Sequence, residues 1–272
     1  MDILLLITQI VSPLLYFISF IFYLRGFIRK EFPQRETTGV LLLAIICHFT
    51  FLSIIFLKTG HLPLGEVFRS TSLFALITVI IYVILEFIIK ERAFGIFVLP
   101  IILLLQIIAV VAIDMQKPLA QILTNLIFEV HVLIILSAYA GFALSFISSI
   151  MYIMLFYEIH GKHLGFFYTR LPSLKFLDEF NIHTVTAGFI FLSLGIILGI
   201  YNSMKVWGIP FPRDPKMVIV LINWMIYALL LISHRLIGWR GTRTSYLSIL
   251  GFGCVLVSFM IISTLFSHVH SF

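Results

Sequence analysis

The chain has 272 residues, 61% of them hydrophobic and 11% charged, with a mean hydropathy of +1.14, which excludes a soluble globular domain and leaves an integral membrane protein. A formal net charge of +6 does not make it a nucleic-acid binder, because its 18 lysines and arginines are strung between apolar runs instead of gathered in one patch. The two cysteines, Cys47 and Cys254, lie inside apolar runs and read as packing groups, which excludes a disulfide framework, a Cys-x-x-Cys metal site and a c-type cytochrome.

A helix that crosses a bilayer needs about 20 mostly apolar residues. That criterion predicts eight spans, at 3–24, 38–57, 71–89, 96–113, 123–157, 182–203, 217–237 and 246–266. The fold class is therefore all-α, a polytopic membrane bundle of about eight transmembrane helices forming a single integral membrane domain over 1–272. No basic residue precedes the first run, and the run is too long for the apolar region of a signal peptide, so it reads as a span. Orientation follows from the connections. The set holding Arg25, Arg29, Lys30, Arg35, Lys90, Arg92, Lys162, Arg170, Lys175, Arg235, Arg240 and Arg243 has twelve basic residues, and the opposite set, Lys58, Arg69, Lys117, Lys205, Arg213 and Lys216, has six. The excess marks the cytoplasmic side, which puts both termini and the 204–216 connection outside the cytoplasmic (inner) membrane of a bacterium.

The second span carries His48 near its middle, where an imidazole is either a satisfied core group or a ligand. The connection after it, TGHLPLGEVFRS, turns at Gly60, Pro63 and Gly65 and reads as a capped turn with a surface ion pair between Glu66 and Arg69. The fifth run is too long for one crossing, so its ends tilt or project. Glu129 and His131 stand in its first turns from the outer face, followed by Ser137-Ala138-Tyr139-Ala140. Ionisable groups that shallow either snorkel and bond backbone or serve a site. In the connection 158–181, Ser173 is placed to cap a short amphipathic helix whose Leu174, Phe176, Leu177 and Phe180 are available to the lipid surface. His160 and His163 flank Lys162 in headgroup space and are assigned no ligand role.

In the sixth span, NIHTVTAGFIFLSLGIILG, Gly188, Gly195 and Gly199 leave room for close helix contact, and His183 sits at the inner end as an interface residue. The stretch WGIPFPRDPK, 207–216, follows. Pro210, Pro212 and Pro215 prevent a regular helix through it, and Trp207, Phe211, Arg213, Asp214 and Lys216 are held together at the membrane surface. Asp214-Pro215-Lys216 is also a helix start, with the acid near the positive end of the dipole. The seventh span reads LINWMIYALLLISHRLIGWRG and carries His234, and the eighth runs to a terminal SHVHSF with His270.

Taken in this order, these segments resemble the cytochrome c assembly proteins of the CcsA/ResC type and their HemX-like relatives. The 207–216 stretch resembles that family's W-G-x-x-W-x-W-D-P-K haem-handling loop: Trp207, Gly208, Asp214, Pro215 and Lys216 match, while Phe211 and Arg213 stand where the family has its second and third tryptophans. His131 before Ser-Ala-Tyr-Ala, the glycines of the sixth span, Gly238-Trp239-Arg240-Gly241 and His270-Ser271-Phe272 match family patterns in the same order. His234 matches a family histidine across a small gap, and His48 has a counterpart in the HemX-like branch. The resemblance covers 40–272 and is strongest from Ala187 to Gly251.

That resemblance implies a haem-handling membrane protein of c-type cytochrome biogenesis that binds haem b without a covalent bond and presents it at the outer face. Its haem-binding residues would be His131, His270, Trp207, Phe211, Arg213, Asp214, Lys216, His234 and His48. His131 and His270 would be the axial pair on iron, aromatic rings would stack on the porphyrin, and Arg213 or Lys216 would pair with propionates. The implied partners are haem, a ResB/CcsB-like subunit, apocytochrome c and membrane lipids, with no nucleic acid. Any enzymatic role is at most that of the membrane part of a cytochrome c haem lyase complex. A second reading stays open, a HemX-type regulatory or scaffold protein of haem metabolism that does not transfer haem.

Overall fold

Leu, Ile, Phe and Val dominate each apolar run, and without water a backbone satisfies its own polar groups only by coiling on itself. The structure, a computed structural model, describes residues 2–64, 67–113, 125–162, 165–210 and 215–265, and at 2, 34, 35, 207, 215, 216 and 258–265 the backbone alone. The described residues form eight α-helices and no strand: α1 (Asp2–Arg29), α2 (Gln34–Thr59), α3 (Val67–Ile89), α4 (Gly95–Ala112), α5 (Leu126–His160), α6 (Leu174–Trp207), α7 (Pro215–Ile232) and α8 (Thr242–Leu265). The eight predicted runs correspond to these eight helices in order. Seven, α1 to α7, are long and apolar enough to cross a membrane, α7 counted with the π-helical turn Ser233–Ile237 that prolongs it, and α8 is apolar through Val257. Burial is inverted relative to a water-soluble protein, as lipid demands: Val111 exposes 82% of its surface, while Ser12, His48, Ser72, Gln106, Ser145 and Ser148 expose none.

The chain packs as two compact units, Met1–Asn125 and Leu126–Phe272. In the first, successive helices pack on one another and α4 closes back on α1. Two buried polar networks tie them. Glu86 near the end of α3 accepts hydrogen bonds from Tyr23 of α1 (2.6 Å), Thr38 of α2 (3.2 Å) and Tyr82 of its own helix, and Arg92 approaches it at 3.6 Å. One clustered carboxylate thus satisfies three hydroxyl donors that lipid would leave bare. The second network is centred on His48.

In the second unit α5 packs antiparallel on α6, α7 and α8 follow, and α8 closes on α5. The α5–α6 approach is close because small residues meet there. A Cβ on Gly141 would lie 3.1 Å from the Thr184 carbonyl and 3.2 Å from the Gly188 Cα, and one on Gly188 would lie 2.9 Å from the Ala138 carbonyl. Farther along the same seam Asn181 accepts from Ser145 (2.6 Å) and Ser248 (2.8 Å), joining α6 to α5 and α8. Asp178, one turn earlier, receives the Gly241 N–H (2.9 Å) and the Thr244 hydroxyl (3.0 Å) and so caps the start of α8.

Two expectations are corrected. Ser173 does cap a helix, accepting the Phe176 N–H at 3.3 Å, but that helix is no separate amphipathic piece. Nothing between Phe180 and Asn181 breaks it, so it runs on as α6, and Leu177 and Phe180 are buried instead of facing lipid. Arg69 is 1% exposed and so does not lie at the surface, because α3 starts at Val67, earlier than the apolar run, and turns that side chain inward. Glu66 lies outside the described residues.

Helix ends follow a pattern. Gly60 and Gly208 close α2 and α6 with φ of 75° and 70°, the left-handed conformation open to glycine. The ends of α1, α3 and α5 adopt the same conformation at lysines, Lys30, Lys90 and Lys162, with φ of 59°, 60° and 55°.

Candidate functional site

His131 stands in the second turn of α5 and leans on α6. Its Nδ1 lies 2.8 Å from the Gly195 carbonyl, and the edge of its ring rests over Gly199, where a Cβ would come within 2.8 Å of Cε1. A carbonyl only accepts, so Nδ1 carries the proton. In the neutral imidazole Nε2 then holds the lone pair, and it has no hydrogen-bond partner among the described residues. This is the arrangement metal-binding histidines use, one ring nitrogen anchored to backbone and the other presented. Phe128 flanks the ring at a centroid distance of 6.0 Å.

From Gly199 the helix continues through Asn202 to Trp207, about 12 Å at 1.5 Å per residue, and the 208–214 connection leaves from there. Gly195, Gly199 and Asn202 share one face by their spacing. Asn202 is 7% exposed, and its Nδ2 has no hydrogen-bond partner in the described structure. It is an unspent amide donor on the helix face that meets His131. The connection begins tied to its helix: the Gly208 N–H bonds to Met204 (3.0 Å) and the Ser203 hydroxyl to the Ile209 carbonyl (2.6 Å). Trp207 ends α6, and Pro215 and Lys216 open α7, as the proline at a first helical position allows. The side chains of Trp207 and Lys216, and all of Phe211, Arg213, Asp214, His163 and His270, lie outside the described residues. In α7, Trp224 donates to Ser193 of α6 (2.9 Å) and packs on Phe189 at 5.2 Å.

His234 occupies the π-helical turn at the opposite end of the second unit. Gly238, with φ of 76°, reverses the chain so that the Trp239 carbonyl meets His234 Nδ1 at 2.9 Å, and Nε2 has no partner among the described residues. Single π-turns recur at functional positions. Arg243 lies 5.7 Å over the Trp239 ring. His160 is exposed and stacks on Phe156 at 5.0 Å. His183 is exposed.

His48 differs in kind. It is fully buried in the first unit with both nitrogens occupied, Nδ1 at 3.1 Å from the Tyr16 hydroxyl and Nε2 at 2.9 Å from Ser72 Oγ. Ser72 gives its own proton to Gln106 Oε1 (2.9 Å), so toward His48 it accepts. His48 Nε2 is therefore the donor, Nδ1 accepts from Tyr16, and Gln106 passes the chain on to Ser12 (3.2 Å). One directed chain of hydrogen bonds links α1, α2, α3 and α4. The sequence-derived residue set thus separates into His131 and His234, each presenting one nitrogen, and His48, which presents none. Sequence reasoning missed the backing of His131. Its only trace was the Gly195-x-x-x-Gly199-x-x-Asn202 spacing.

Residues 64–270 match the family described as Cytochrome C assembly protein. Among similar proteins is the "Cytochrome c biogenesis protein CcsA" of Heterosigma akashiwo (strain NIES-293 / 8280G21-1), 28% identical over 259 residues that cover 82% of this chain and 80% of that protein. The protein of the same name from Guillardia theta is 27% identical over 276 residues, covering 94% of this chain and 92% of its own length. That of Mesostigma viride is 27% identical over 245 residues, covering 81% and 80%.

Proposed function

Since the chain belongs to the cytochrome c assembly protein family, we propose that this multi-pass membrane protein holds haem b non-covalently and presents it at the outer face of the cytoplasmic membrane for c-type cytochrome assembly. The observation that carries the proposal is His131: its Nδ1 is fixed to the Gly195 carbonyl, its Nε2 has no partner among the described residues, and it packs on the helix, α6, from whose end the 207–216 connection departs. A neutral imidazole so held fits an iron ligand with no change of tautomer. His270 is the proposed second axial ligand. Trp207 and Phe211 would supply ring surface, while Arg213 and Lys216, with the Asn202 amide, would take carboxylates of the cargo. Haem brings a redox-active iron and a vinyl-bearing macrocycle. The protein's part is to bind and orient it and to limit access of water. A ResB/CcsB-like subunit and apocytochrome c are the proposed partners.

His131→Ala or His270→Ala in the full chain should lower co-purified haem or turn a low-spin spectrum high-spin. The double replacement should add little, since residues of one site are non-additive, and imidazole should partly rescue each single variant. His160→Ala and His163→Ala should be silent. Arg213→Ala should weaken haem retention, and Arg213→Trp should restore stacking surface without the charge. If His131→Ala and His270→Ala leave the spectrum unchanged while His48→Ala or His234→Ala abolishes it, haem is held inside the membrane and the proposal fails.

Phe211 and Arg213, in place of two family tryptophans, favour a second reading, the HemX-type regulatory or scaffold protein without haem transfer. A purified protein with no Soret absorption, and no gain on adding haem, would decide for it.

A further inference from the structure

We propose that Gly195 and Gly199 form a seat on α6 that positions the His131 imidazole, fixing it in the Nδ1–H tautomer with Nε2 as the ligating atom; this rests on the haem reading of His131 given above. The two glycines are one helical turn apart and do different work. Gly195 contributes its carbonyl, 2.8 Å from Nδ1. A helical carbonyl is normally spent on the N–H four residues on, and its second lone pair is accessible to a neighbour only where side chains stand clear. Gly199 is that donor residue and has no side chain. A Cβ there would lie 2.8 Å from Cε1, 3.4 Å from Nδ1 and 3.5 Å from Nε2, too close at the first atom for the ring to stay where it is.

Glycine inside a helix is otherwise a poor choice, and alanine would be the better helix former. At position 199 the two effects oppose each other: alanine improves the helix and evicts the ring. The seat therefore predicts a variant that folds well and binds badly. Gly188 provides the contrast. A Cβ there meets the Ala138 carbonyl at 2.9 Å and the Phe142 ring at 2.7 Å, with no histidine among its nearest atoms, so alanine at 188 strains packing away from the His131 contact.

Haemin is titrated into full-length protein in nanodiscs and followed at the Soret band, for wild type, Gly199→Ala, Gly188→Ala and His131→Ala. Gly199→Ala should keep wild-type helicity, bind haemin about 10–100-fold more weakly, as loss of a ligand's supporting shell typically does, and recover a low-spin spectrum on adding imidazole. Gly188→Ala should lower thermal stability and leave the spin state alone. In ligand-free wild type labelled with 15N-histidine, His131 should show Nδ1 protonated and Nε2 bare, the tautomer that the Gly195 carbonyl selects. Wild-type affinity and spin state in Gly199→Ala, with haem lost in His131→Ala, would overturn the seat and leave the haem reading intact. Unchanged binding in His131→Ala would overturn both. Should Gly199→Ala fail to fold, the wild-type tautomer decides: Nε2 protonated refutes the seat.

Discussion

Replacing His48 by alanine should cost stability and spare haem. The imidazole makes two hydrogen bonds inside the first unit, from Tyr16 at 3.1 Å and to Ser72 at 2.9 Å. Side-chain bonds within membranes are worth on average about 0.6 kcal/mol and at most about 1.7. The partners lose unequally. Ser72 still has Gln106 as acceptor, whereas the Tyr16 hydroxyl, on a fully buried side chain, keeps its proton with nothing to receive it. An orphaned buried donor costs about 1–3 kcal/mol. Two lost bonds and one orphan together come to about 2–4 kcal/mol, large against the stability of a typical domain. Ser72→Ala orphans the other end, so a double-mutant cycle between 48 and 72 should show coupling of at least about 0.5 kcal/mol. The assay is denaturant unfolding of full-length protein in detergent, read by circular dichroism, with a Soret titration on the same preparations. A His48→Ala protein that unfolds as wild type but has lost its Soret band would refute this reasoning and return His48 to the ligand set.

Three further outcomes are expected. Reporter fusions at Glu36, Arg92, Lys175 and Thr242 should report cytoplasm and one after Phe272 the exterior; a cytoplasmic C-terminus would overturn the placement of the site. Asp178→Ala should destabilise the second unit by about 0.5–2 kcal/mol through loss of a cap, while Asp178→Asn, which keeps the accepting oxygen, should lose less; equal losses in thermal unfolding would show that the charge, not the cap, matters. Burial pushes the Glu91 carboxyl up, against the Ala93 N–H that bonds to it at 3.2 Å. The folded protein then holds that proton more tightly than the unfolded chain, so stability falls as pH rises from the ordinary carboxylate range to the raised value; Glu91→Gln should remove this slope, and an unchanged slope would refute it.

The helices were legible because lipid leaves so few choices: an apolar run of sufficient length has to coil, whatever its neighbours do. Boundaries were less so. Lys175, Asp178 and Glu179 looked like the end of a surface piece, yet α6 runs straight through them, since polarity does not stop a helix and no proline or glycine intervenes. Their side chains are accounted for individually: Lys175 and Glu179 pair at 3.8 Å at the surface, and Asp178 caps α8. The histidines show the same limit. That His131 and His48 were unusual could be seen from their apolar surroundings. Which of them had an open nitrogen could not, because the partners that decide it, Gly195 and Ser72, are 64 and 24 residues away along the chain.

The left-handed lysines bear on how the chain keeps its direction while it is threaded into the bilayer. An L-residue in that conformation gives up about 1–2 kcal/mol relative to an ordinary helical one, and glycine would avoid the loss, as it does at Gly60 and Gly208. At the close of α1, α3 and α5 the chain instead places a cation at the reversal itself, not on a tail beyond it. A backbone folded back at that point cannot slide deeper without dragging an ammonium group into hydrocarbon, which costs more than the strained turn. Each such turn would therefore resist movement of its span toward the hydrocarbon. A version with glycine at 30, 90 and 162 would have easier turns and a weaker memory of which way it was inserted.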